Sequence, residues 1–136
     1  MSPKHLKTAV GAVFIEHDNM NVLLIFLGGG TGSVIRFYIA YLFSKTSLSL
    51  PFATLTSNFV SCLMFAVILS TYGSKQLIPD TYKSLIIIGI CGGLSTFSTF
   101  SFETFELIKL GMTGWAIVNI LISCLLCTSL FFVFAK

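Results

Sequence analysis

The chain has 136 residues, 55% of them apolar and only 10% charged, with a formal net charge of +3. Soluble domains carry about 25% charged residues, and a mean hydropathy of +0.95 leaves too little polar surface to face water on all sides. The composition calls for the apolar surroundings of a bilayer, and so small a charge on scattered lysines gives no basis for a nucleic-acid partner.

Residues 1–21 read as an N-terminal tail with Lys4, Lys7, Glu16 and Asp18. Its apolar run TAVGAVFI is too short to cross a membrane, and no small-residue cleavage site marks a signal peptide. Residues 22–136 read as one membrane domain with four segments long enough to cross about 30 Å of hydrocarbon. They are expected at about 22–43, 54–72, 85–110 and 115–134, joined by short polar connectors.

The first segment contains GGGTGSVIRF, residues 28–37. Gly28 and Gly32 are four apart, a spacing that lets a partner helix approach closely. Arg36 is costly within a span. It either snorkels to the interface or forms an electropositive vestibule that gathers anions. In the second segment, Asn58 offers two donors and an acceptor, with Thr54 one turn earlier on the same polar face. A helix–helix hydrogen bond and a pore-lining donor are both open to it.

The third segment interrupts its own pattern with CGGLSTFSTFSFE, residues 91–103. Each glycine costs a helix about 1 kcal/mol against alanine, and hydroxyl residues follow at once. The expectation is a broken helix: one half to about Cys91, an unwound corner over residues 92–95, and a second half from about Thr96. Such a break exposes carbonyls that can bind ions, provided protein or a water-filled cavity covers them. A kink used only for packing is the plainer alternative. Phe97 and Phe100, three apart, share a helix face, and their positive ring edges can lie against an anion. Glu103 and Glu106 are expected near the interface. In the fourth segment Asn119, Ser123 and Cys127 recur every four residues as one polar or polarisable stripe. It reads either as interhelical bonding or as a track of donors.

Cys62, Cys91, Cys124 and Cys127 fall inside apolar segments and read as small apolar filler without a zinc ligand set. No catalytic constellation is visible, and an enzyme is not expected.

GGGTGSVIRF, TLTSN and above all GGLSTFSTFSFE resemble the fluoride channel family known as Fluc or CrcB, over essentially the whole chain from about residue 22. The resemblance implies a passive fluoride-selective channel of the cell membrane that lowers cytoplasmic fluoride. It implies an all-α dimer of two four-span chains in opposite orientations, each with the third helix interrupted mid-membrane. By motif, Phe97, Phe100, Asn58 and Arg36 match residues of the fluoride pathway. The main-chain carbonyls of Gly92 and Ser95 match the ligands of a central structural sodium ion. Ser95 stands where relatives usually have threonine, Ser61, Cys62 and Ala66 where they commonly have glycines, Asn119 where they often have tyrosine, and Cys127 where they often have serine.

Two other readings compete. A small four-span multidrug exporter needs an acid in the first span, where this chain has Arg36 instead. A non-transporting assembly subunit explains the glycines but not the interrupted segment. With the distant Lys4 and Lys7 discounted, Lys75, Lys83 and Lys136 on one side balance Lys45, Lys109 and Arg36 on the other. That balance predicts insertion in both orientations, with a second copy or an oppositely oriented paralogue as partner.

Overall fold

The computed structural model of the chain describes residues 19–46, 51–72 and 78–134. They form α1 (Asn19–Ser44), α2 (Phe52–Tyr72), α3 (residues 80–94), α4 (Phe97–Lys109) and α5 (Thr113–Phe134). With α3 and α4 taken together as Asp80–Lys109, four segments are long and apolar enough to cross a membrane. At about 1.5 Å per residue, even the 21-residue α2 spans a hydrocarbon core of about 30 Å. The all-α, four-span expectation therefore holds. Helix α1 begins three residues before the expected start, and the rest of the expected tail lies outside the described residues.

Burial runs opposite to that of a soluble protein. Among the described residues, glycine apart, eight buried ones are polar or charged and only five are apolar, while large side chains such as Phe26, Leu125 and Phe132 point outward. Hydrocarbon receives those outward chains at no cost, and most of the polar ones find partners inside.

The closest packing joins α1 to α3, backbone against backbone. A methyl group on Gly28 would collide with the Leu85 carbonyl, one on Gly32 with the Ile90 carbonyl, and one on Gly93 with the Gly29 carbonyl. Ser84 donates to Asn21 Oδ1 at 3.0 Å and ties the same pair of helices. Over Lys83–Cys91, α3 is wound as a π-helix, which no sequence signal announced. Across the bundle α2 packs on α5, where the rings of Phe65 and Phe131 meet edge to face at 5.5 Å.

The third segment is interrupted, but not where expected. Gly92 is helical (φ −64°, ψ −39°), and α3 runs on to Leu94. Ser95 (ψ 153°) and Thr96 (φ −152°, ψ 119°) are extended, and α4 starts at Phe97. Both glycines are helical and Gly93 packs closely on Gly29, so hydroxyl residues rather than glycines make the break. The Thr96 hydroxyl accepts from Thr99 N at 3.2 Å and caps α4. At its other end α4 closes on Gly111 (φ 75°). Gly111 N bonds the Ile108 carbonyl and Met112 N the Leu107 carbonyl, a Schellman arrangement.

Gly28→Ala or Gly32→Ala forces α1 and α3 apart and is expected to lower stability by about 1–3 kcal/mol. Gly114→Ala, with nothing within 4 Å of the added methyl, should be neutral or mildly stabilising. Thermal unfolding in detergent distinguishes the two classes, and equal shifts at all three positions would contradict the backbone contact.

Candidate functional site

The break is held from α2. Asn58 Oδ1 accepts the Thr96 N–H at 2.8 Å, and its amide nitrogen reaches the Thr96 carbonyl loosely at 3.5 Å. One turn further, Ser61 donates to the Cys91 carbonyl at 2.8 Å, which also receives the Ser95 N–H at 3.0 Å. One turn earlier, Thr54 donates to Glu103 Oε1 at 2.7 Å. Asn58 is thus first a brace for the interrupted backbone. Its amide hydrogens are only weakly committed there.

Along with the Gly93 and Leu94 carbonyls at the end of α3, the break leaves those of Gly92 and Ser95 without their helical donors. An uninterrupted helix would deliver the Thr96 N–H to Gly92 and the Thr99 N–H to Ser95. Here Asn58 Oδ1 takes the first and Thr96 Oγ1 the second.

Two polar recesses flank the break. One, of about 330 Å³, is bordered by Asn58, Thr96, Phe97, Phe100, Ser123 and Cys127 among others. The Phe97 and Phe100 rings lie 5.9 Å apart and tilted by 40°. Phe97 is 80% exposed. Ser123 is only 7% exposed, and its hydroxyl has no partner. The other recess, of about 470 Å³, holds Arg36, Thr54, Ser57, Thr99 and Glu103. Arg36 forms no ion pair among the described residues. Thr96 borders both recesses, so the two meet at the break.

The predicted residues therefore divide. Phe97, Phe100, Asn58, Ser123 and Cys127 come together in one recess, and Arg36 and Thr54 in the other. Asn119 joins neither. It donates to Thr104 Oγ1 at 3.2 Å and borders a separate, mainly apolar groove beside Trp115. The expected stripe on α5 is thus split between a structural end and a recess-lining end.

Sequence reasoning missed Glu103. It is 3% exposed, with one oxygen held by Thr54 and Oε2 unpartnered. The signal was its spacing. Thr96, Thr99 and Glu103 fall at i, i+3 and i+7, one helical face leading away from the break.

Residues 23–135 match the family described as CrcB-like protein, Camphor Resistance (CrcB). The chain belongs to the CrcB family. Among its curated relatives, proteins named fluoride-specific ion channel FluC from Enterobacter sp. (strain 638), Salmonella arizonae and Salmonella paratyphi B are each 39% identical over 104 residues. Each alignment covers 76% of this chain and 82% of the relative. With four helices able to cross a membrane, this CrcB chain is a multi-pass membrane protein of an ion-channel family.

Asn58→Ala strands the Thr96 N–H in an apolar interior and should destabilise this CrcB protein by about 1–3 kcal/mol. Thr54→Ala leaves a buried carboxylate short of its donor and should also destabilise it, whereas Thr54→Ser, which keeps the hydroxyl, should restore most of the loss. Unfolding midpoints in detergent check both, and an Asn58→Ala protein as stable as the parent would remove the brace.

Proposed function

We propose that this chain is a passive, fluoride-selective channel of the cell membrane. It works as a pair of chains inserted in opposite orientations, with the break near mid-membrane. The observation that carries the reading is the recess in which Phe97 and Phe100 stand beside Asn58 and Ser123, in a member of a family whose relatives bear the name of fluoride channels.

Fluoride holds its water tightly, so a pore must replace that shell at close quarters. The candidate replacements are the loosely committed amide of Asn58, the unpartnered hydroxyl of Ser123 and the positive ring edges of Phe97 and Phe100. A narrow path built this way excludes chloride by size. Arg36 and Thr54 line the adjoining recess, where an unpaired guanidinium draws anions inward. Cys127 adds only a weak thiol donor. Asn119 acts through Thr104, by holding α4 against α5. A passive path needs no coupling. An inside-negative potential drives an anion outward with about 2.3 kcal/mol per 100 mV, which makes the channel an exporter.

The freed carbonyls of Gly92 and Ser95 suit a hard cation such as sodium, since both are oxygen ligands released by the break. Gly92 is exposed, with nothing within 4 Å of its missing side chain, and Phe97 is largely uncovered. A second, inverted copy facing this side would bring its own pair of carbonyls. A sodium ion there supplies positive charge that ties the two corners together. Fluoride and a second copy, or an oppositely oriented paralogue, are the partners on this reading.

Purified protein in liposomes should release fluoride without a proton gradient, with chloride far slower. Equal fluoride and chloride fluxes would overturn the channel reading, and a strict need for a proton gradient would replace it with a coupled transporter. Ser95→Thr, which keeps the carbonyl, should conduct normally. Gly92→Ala should lower flux by obstructing the second copy, without unfolding the single chain. Replacing sodium by a bulky organic cation throughout preparation should weaken the dimer. Dimerisation and flux that are indifferent to sodium would discard the structural ion.

A further inference from the structure

We propose that Cys62 and Cys127 form a binding site for a soft, two-coordinate divalent cation of the mercury(II) class. The placement of that site inside the fluoride path rests on the function proposed above. The two thiols belong to helices that pack on each other, α2 and α5. Both border the recess that also holds Asn58, Phe100 and Ser123. Both are half-buried and neither is in a disulfide. Ser123, one turn before Cys127, turns a buried and unpartnered hydroxyl into the same recess.

The chemistry selects the ion. Thiolate ligands favour soft metals. Zinc needs four ligands, and no group of three or more cysteine, histidine or acidic side chains that could hold a metal occurs among the described residues. Two sulfurs on opposing helices satisfy an ion that prefers two ligands. Binding is balanced as one divalent ion plus two thiols giving a neutral bis-thiolate and two released protons. Neutrality matters here, because an uncompensated charge in an apolar surround is costly. Asn58 and Ser123 add neutral oxygens beside the bridge and need no charge of their own. Once bound, the ion would tie α2 to α5 across the recess and fill space between Asn58 and Phe100.

The test uses full-length protein carrying Cys91→Ser and Cys124→Ser, reduced, freed of reductant and placed in liposomes. Mercuric chloride is the probe and zinc chloride the control. Native mass spectrometry and thiol counting should find one mercury per chain with both remaining thiols consumed, and no retained zinc. The bridged ion should resist removal by a monothiol by about 100-fold or more relative to variants that also carry Cys62→Ser or Cys127→Ser, because the second sulfur acts at high effective concentration. Two mercury ions per chain, or equally easy removal from the pair and from the single-thiol variants, would overturn the site. Fluoride efflux is then compared with each variant's own untreated flux. Block that accompanies bridging supports the position in the path. Bridging with unchanged flux supports the metal site and counts against the path. An untreated protein that passes no fluoride defeats the proposed function, while the mercury stoichiometry still decides the site.

Discussion

Lipid offers the backbone no hydrogen bonds, so a helix can be interrupted within a membrane only where another element takes over the freed groups. Here that element is α2. Thr54, Asn58 and Ser61 stand at i, i+4 and i+7 on one of its faces. They meet Glu103, the Thr96 backbone and the Cys91 carbonyl in antiparallel order. The three rungs grip α4, the break and the end of α3 in turn. Moving this face by one residue would rotate it by about 100° and leave Thr96 without an acceptor. The position of the break is therefore set as much by α2 as by the third segment.

The two halves of that segment have different partners, and this explains the uneven placement of small residues. Helix α3 lies against α1 through glycines, where backbone meets backbone and side chains have no room. Helix α4 is held by polar pairs instead, to α2 through Glu103 and to α5 through Thr104 and Asn119. One half is fixed by shape and the other by hydrogen bonds. Between them, Ser95 and Thr96 can stay extended without either half coming loose. The side of the break that carries Gly92 and Phe97 remains uncovered in the single chain.

The four spans were legible because twenty-residue apolar stretches between polar connectors have one reading in a chain this poor in charge. The existence of a break was legible too, since hydroxyl and glycine cluster where a helix gains nothing from them. Its location was not. Gly92 and Gly93 were read through conformational freedom, whereas both are helical and α1 uses Gly93 as clearance, and clearance depends on an α1 that sequence alone does not place beside α3. The π winding over Lys83–Cys91 was hidden for the same reason. Glu103 was read together with Glu106, one turn on, but Glu106 pairs with Lys109 at 3.2 Å, while Glu103 turns inward to Thr54. Asn119 and Ser123 share a helical face, yet the start of α4 separates them into different surroundings.

A path that must pass an ion quickly cannot hold it tightly, and the distribution of polar groups follows that constraint. The recess with Phe97 and Phe100 contains neutral donors, each worth only about 0.5–1.5 kcal/mol net. The one guanidinium among the described residues, Arg36, stands in the adjoining recess across Thr96. Placed beside Ser123, a permanent positive charge would trap the anion. On the proposed function, placing it one recess away would raise the local anion concentration and leave each binding step shallow. The break makes this separation possible. Thr96 spends its N–H on Asn58 and its side chain on capping α4, so it presents a neutral boundary between the two recesses.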